Sequence, residues 1–353
     1  MNLLLTPFLH GQWTVTQAAV KFPLWMGVST VFYSATNSVQ ALIDNIYALD
    51  LQLVSIKKVL NNSDISSVFD NATVAAVKYG QTIENTLKSL GEISKLGFDL
   101  GEAEELNNNS MLLSTVGEFK DTTDAANYLV AVMRQYKLEV SDTIDVVNAL
   151  NSVSNQTVAT TEGIAQALSK SSANAAMAGV SFHELTGIVS QTVETLKISG
   201  NEAGTFYKTL FSRYLREESQ SMIEGLGIKT KEMSGELRST TDVLAELGSQ
   251  WETFDAQTKN AISSQFGGGW HVAKVTSLLE NQARVAENTI FSMDSYNSAV
   301  NEMKVFEGEL EYQTNQMIAS FQLLSQTIGD NGVRQLIVGL LNSVTSLTTD
   351  FAS

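Results

Sequence analysis

The sequence predicts an all-α fold: antiparallel helical hairpins forming a bundle or short solenoid, with a long C-terminal helix. Three observations carry that prediction. Both prolines, Pro7 and Pro23, stand near the N-terminus, so the body of the chain lacks the residue that removes a helical N–H and clashes with the preceding turn. The body is rich in Ala, Leu, Glu, Gln, Ser and Met and lacks the alternating Val/Ile/Thr/Tyr runs, closed by Asn-Gly or Asp-Gly, that mark strands. Side chains recur at three- and four-residue steps, as in Tyr128, Val132, Met133 and Tyr136, or Leu185, Ile188, Val189, Thr192, Val193 and Leu196, which gives each segment one face to bury.

With 353 residues and 43% hydrophobic side chains, the chain can bury one or two sizeable cores. It contains no cysteine, which excludes disulfides, thiolate metal sites and Cys nucleophiles and fits assembly in a reducing cytoplasm. The formal net charge is −16. Phosphate backbones are bound mainly by Lys and Arg, so specific nucleic-acid binding is not expected.

Residues 1–60 read as an amphipathic lead-in followed by a long helix. The apolar runs Leu3-Leu4-Leu5 and Phe22 to Tyr33 fall short of the roughly 18 apolar residues of a membrane span, and Lys21, Pro23 and Gly27 flank or interrupt the second. No basic stretch precedes Leu3, as a secretory signal would require.

Residues 61–270 read as a helical core. Ser63 is expected to open a helix to about Tyr79, Thr122 or Thr123 one to Lys137, Ser141 one to Ser154, and Thr160 one to Ala178, because a side-chain oxygen there can accept from free backbone N–H groups. Ser181 and Glu184 have the spacing of a capping box. Gly80, Gly97 and Gly179 stand where a helix end needs a left-handed residue. A weak echo links Phe98-Asp99-Leu100 with Glu102, Leu138-Glu139-Val140 with Asp142, and Val180-Ser181-Phe182 with Glu184, at offsets of 40 and then 42 residues. A period near forty suits a helix-pair repeat.

Residues 271–353 read as a long coiled-coil-like helix from His271 to about Phe321, followed by an apolar helix. Its stripe is Val275, Leu278, Leu279, Ala283, Ala286, Ile290, Met293 and Tyr296. After the break Gly329-Asp330-Asn331-Gly332, the apolar segment Val333 to Leu347 is expected to pack against another subunit, or the natural protein to continue.

No residue set has the spacing of a catalytic, cofactor-binding or metal site. His10, His183 and His271 are far apart in sequence and only His183 has an adjoining carboxylate, Glu184, whereas a metal needs three or four converging ligands. Gly267-Gly268-Gly269-Trp270 lacks the Gly-Lys-Ser/Thr of a phosphate loop and reads as a corner between helices. Glu102, Glu104 and Glu105, followed by Asn107 to Asn109, depart from the spacing of a calcium loop and read as a solvated helix start.

From about Asn148 to Asn281 the sequence resembles the core domain of TP901-type phage tail tape measure proteins. The resemblance rests on ordered blocks: Asn148 to Asn155, Gly163 to Leu168, Ala178 to Leu185, Gly200 to Thr205 with Leu210 to Arg213, Leu226-Gly227-Ile228, Gly235 to Arg238 with Asp242 to Leu244, Trp251 to Phe254 with Ile262 and Gly267, and Leu278 to Asn281. Residues from about Phe22 to Asn148 are similar more loosely. The resemblance implies a structural protein of the virion, not an enzyme, that acts in tail assembly and length determination and lines the tail lumen. It implies self-association and contacts with the tail tube protein, tail assembly chaperones and tail initiator proteins. Tape measure proteins are usually much longer, so the expectation is a fragment, a truncated prophage product or one piece of a split gene. The alternative is a membrane-active helical protein whose apolar ends, Leu3 to Tyr33 and Val333 to Leu347, contact the host membrane during DNA ejection.

Overall fold

The computed structural model describes Asp44, residues 48–60 and residues 67–306. The lead-in, His10, the Ser63 helix start and everything expected of residues 307–353 lie outside the described residues.

The chain is helical almost throughout these residues. Helix α1 covers residues 48–59. It is followed by α2 (Val68–Tyr79), α3 (Ile83–Ser94), α4 (Leu100–Val116) and α5 (Thr122–Tyr136). A 3-10 turn, Val140–Asp142, leads into α6 (Thr143–Gln156), then come α7 (Thr161–Met177), α8 (Phe182–Leu196), α9 (Gly200–Tyr214) and α10 (Glu217–Gly225). The last are α11 (Thr240–Gln250), α12 (Ala256–Gly267), α13 (Val272–Glu280), α14 (Gln282–Met293) and α15 (Ser298–Phe306). Between α10 and α11 a small hairpin closes through one antiparallel bridge, Lys231 to Leu237.

The helix starts are chemically alike, and their positions reveal a repeat. Thr82, Asp121, Thr160 and Ser199 cap α3, α5, α7 and α9, each side chain accepting from a backbone N–H of the first turn. These caps stand 39 residues apart, at 82, 121, 160 and 199. The echo seen in the sequence marks the alternate helices α4, α6 and α8. In each, the acid three residues on reaches back to the cap N–H: Glu102 to Asp99 at 3.2 Å, Asp142 to Glu139 at 2.9 Å, Glu184 to Ser181 at 2.8 Å. Gly80, Gly97 and Gly179 have positive φ, as the helix ends require.

Packing follows the repeat. Helices α3, α5, α7 and α9 lie side by side in one layer, and α2, α4, α6 and α8 in a second. The result is a short two-layer solenoid in which each helix pair buries its face on the next. The tightest approach joins α7 and α9. A Cβ on Gly200 would run into the carbonyl of Gly163, and one on Gly204 would lie 2.8 Å from the carbonyl oxygen of Ala167. Aromatic side chains of α9, Phe206, Tyr207, Phe211 and Tyr214, are fully buried, as are Trp251 and Phe266. Each contributes on the order of 1.5–3 kcal/mol of apolar burial. The buried Tyr207 hydroxyl donates to the carbonyl of Ile188 at 2.8 Å.

The C-terminal helix differs from expectation. Residues 272–306 form three helices, broken at Asn281 and again between Met293 and Ser298, where Asn297 takes a left-handed φ of 57°. Helix α14 packs on α6 and α8 and α15 on α4 and α6, as a third layer over the solenoid. A continuous helix could not follow that surface; the breaks let each piece turn onto a different pair.

Candidate functional site

His183 and His271 are tied into packing. His183 opens α8, and its Nδ1 lies 2.8 Å from Ser292 Oγ on α14. Burial pushes its pKa below the usual histidine value, against the opposing fields of Asp145 and Glu184. Glu184 itself closes the cap on Ser181 and accepts from the Thr241 hydroxyl. His271 stands before α13 with Nδ1 3.2 Å from Lys274 Nζ. Burial, then the Lys274 charge, lowers its pKa. Lys274 in turn pairs with Glu202 at 2.7 Å. Among the described residues, no group of three or more His, Cys, Asp or Glu could hold a metal ion.

The glycine run forms the corner between α12 and α13. Gly268 has φ 62° and ψ −174°, a region open essentially to glycine alone. A Cβ there would lie 2.9 Å from Arg213 Nη2, and Arg213 donates to the Gln265 carbonyl at 3.2 Å. The corner is thus shaped by an arginine packed beneath it, while Trp270 points outward, 94% exposed.

The acidic and asparagine cluster of α4 divides among its neighbours. Glu102 completes the Asp99 cap, and Glu104 accepts from Asn71 of α2, with both oxygens 3.1 Å from Nδ2. Asn107 accepts from Ser89 Oγ at 2.6 Å and donates to the Thr86 carbonyl at 3.1 Å, and Asn109 donates to Thr143 Oγ1 at 2.9 Å. These amides join α4 to α3 and α6. A cleft of about 280 Å3 opens between α2, α3 and α4, lined by Asn71, Lys78, Tyr79, Glu104 and Asn107 among others. Its lining includes no histidine or serine.

Two polar seams escaped the sequence reading. Asn148, Asn151 and Asn155 share one face of α6 through their three- and four-residue steps. Asn148 Oδ1 accepts from the Ala299 N–H at the start of α15, at 3.1 Å. Asn151 donates to Ser298 at 3.0 Å and to Glu302 at 2.8 Å, and Asn155 also donates to Glu302. The second seam lies under α14. Arg284 pairs with Glu194, Asn288 donates to Ser190 at 3.1 Å, and Ser292 meets His183. Helix α14 therefore buries polar residues. Of the stripe expected to pack, Val275, Leu278 and Leu279 are buried, whereas Ala283, Ala286, Ile290, Met293 and Tyr296 face solvent. The interior amides and hydroxyls hold the helices in register, and they leave the apolar side chains of Ile290 and Met293 facing outward.

No solved structure matches the chain. A protein-family model described as phage-related minor tail protein matches residues 72–268. That span runs from α2 to the glycine corner and includes every helix of the 39-residue repeat from α3 to α9. It covers more than half of the sequence, and the chain belongs to the phage-related minor tail protein family.

Proposed function

We propose that this chain is a tape measure protein, acting in tail assembly and length determination from within the tail lumen. The family match carries the reading, since it makes the chain a structural protein of the phage tail. The ordered blocks from Asn148 to Asn281 support the narrower assignment, and they fall on elements that hold the fold. Asn148 to Asn155 is the amide seam to α15, Ala178 to Leu185 includes the Ser181–Glu184 cap, and Gly200 with Gly204 makes the close α7–α9 contact.

The charge of −16 supports a place along the DNA path, because an acidic surface lets a polyanion pass without adhering. Partners engage through helix faces: further copies of the chain, the tail tube protein, assembly chaperones and the tail initiator. Among the described residues no helix is long and apolar enough to cross a membrane, so the described part adds no support to a membrane-active role.

The repeat supplies a test of length determination. In-frame removal of one period, residues 83–121, preserves the phase of the caps, because Thr82 then precedes Thr122. Negative-stain microscopy of tails assembled with this gene is expected to show shorter tails, by up to about 58 Å at a rise of about 1.5 Å per residue. Unchanged tail length with the shortened chain incorporated would reject the ruler role.

A further inference from the structure

Helices α14 and α15 pack with their polar side inward. They present Arg284 to Glu194, Asn288 to Ser190 and Ser292 to His183. They also present Ser298, Glu302 and the Ala299 N–H to the asparagines of α6. Their buried apolar side chains are Val285, Ala299 and Met303, with Phe291 and Phe306 partly buried. Helix α9 alone buries Ala203, Phe206, Tyr207, Leu210, Phe211 and Tyr214. Apolar burial is the main force that keeps an element closed, so a layer with little of it opens more readily.

The polar interface is also incompletely paired. Asn151 Oδ1 and Asn288 Oδ1 are buried in it and have no hydrogen-bond partner among the described residues. A buried acceptor that bonds neither protein nor water opposes closure, and opening returns both oxygens to solvent.

We propose that α14 and α15 form a latch that opens from the solenoid as one unit, turning at Asn281, while α2 to α9 stay folded. The hinge follows from its neighbours. Helix α13 is held by the buried Val275, Leu278 and Leu279 and ends at Asn281, where α14 begins without an intervening loop. The solenoid keeps its own contacts when the latch is open: α7 packs on α5 and α9, with the Gly163–Gly200 approach in the layer opposite the latch. Opening uncovers Asn148, Asn151 and Ser190, which are buried in the closed protein, and makes a polar groove available on α6 and α8.

Native-state hydrogen exchange of the full chain, read by mass spectrometry across a urea series, tests the latch. After correction for intrinsic rates, amides of residues 282–306 are expected to exchange about a hundredfold faster than those of α7 and α9. Their urea dependence should be shallower, because the slope follows the surface exposed on opening. Gly200→Ala strains the α7–α9 contact, which is intact in both the closed and the open form. It is therefore expected to speed exchange in α7 and α9 and to leave that of residues 282–306 unchanged. Tyr207→Phe removes the hydroxyl bonded to the Ile188 carbonyl and makes the same comparison if Gly200→Ala does not fold. Protection of residues 282–306 equal to that of α7 and α9 would overturn the latch. So would a variant that speeds exchange of residues 282–306 as much as that of α7 and α9.

Discussion

Arg284 and Glu194 form a two-point pair, Nε to Oε2 and Nη2 to Oε1, both at 2.9 Å, and this pair fastens the third layer to the solenoid. The planar guanidinium matches the carboxylate edge, a geometry lysine cannot copy. Arg284 also bonds Glu287 at 2.7 Å and lies 5.9 Å from the centre of the Phe291 ring.

Replacing Arg284 with Ala is expected to lower stability by about 1 kcal/mol, the upper end for partly exposed pairs, or roughly 2–4 °C in Tm. Arg284→Lys keeps the charge but loses the fork and should recover less than half of that. Thermal unfolding by circular dichroism checks both; an Arg284→Lys variant indistinguishable from the parent contradicts the geometric account.

The α7–α9 contact makes a second prediction, with an internal control. Gly200→Ala pushes a methyl group into the Gly163 carbonyl, and overpacking of this kind costs about 1–3 kcal/mol. Gly225→Ala, at the end of α10, meets nothing within 4 Å and should be neutral or stabilising by up to about 1 kcal/mol. Urea titration of the two variants separates close packing from a general intolerance of glycine replacement. Equal losses at both positions would refute it.

His183 predicts a pH dependence. Its folded pKa is lowered, first by burial, so the unfolded chain takes up its proton more readily. Stability from this group is complete above the unfolded histidine value of about 6.5 and declines as pH falls from there toward the lower folded pKa. His271 is shifted in the same direction and adds to the effect. The midpoint of urea unfolding should therefore drop between pH 7.5 and pH 5.5, and His183→Gln should flatten that drop. A slope unaffected by His183→Gln removes the histidine from the explanation.

Much of the helical framework was legible in the sequence. Thr160 as a cap, the Ser181–Glu184 box and the left-handed Gly80, Gly97 and Gly179 all follow from local chemistry, because a cap needs only its own first turn. The all-α class followed from the same periodicity. The repeat was only half visible. The acid-to-cap echoes of α4, α6 and α8 share a similar spelling, whereas Thr82, Asp121, Thr160 and Ser199 reach the same geometry with three different residue types.

The orientation of α14 was illegible for a physical reason. Apolar periodicity says that a stripe is to be buried somewhere, and Ile290 and Met293 carry that signal. Arg284, Asn288 and Ser292 look like a solvated face until Glu194, Ser190 and His183, about a hundred residues earlier, are brought against them. The long-helix expectation failed for the same reason, since the breaks at Asn281 and Asn297 serve contacts with α4, α6 and α8 that spacing alone does not encode. The calcium-like run at Glu102 to Asn109 likewise resolves into contacts with α2, α3 and α6.

The family match gives this chain a structural role in the phage tail, and we propose that tail assembly requires it. The most direct test is electron microscopy of particles produced from a phage genome with this gene deleted, beside the same genome complemented in trans. The account predicts particles lacking normal tails in the deletion and tails of normal length on complementation. Tails of normal length and number without the gene would contradict it.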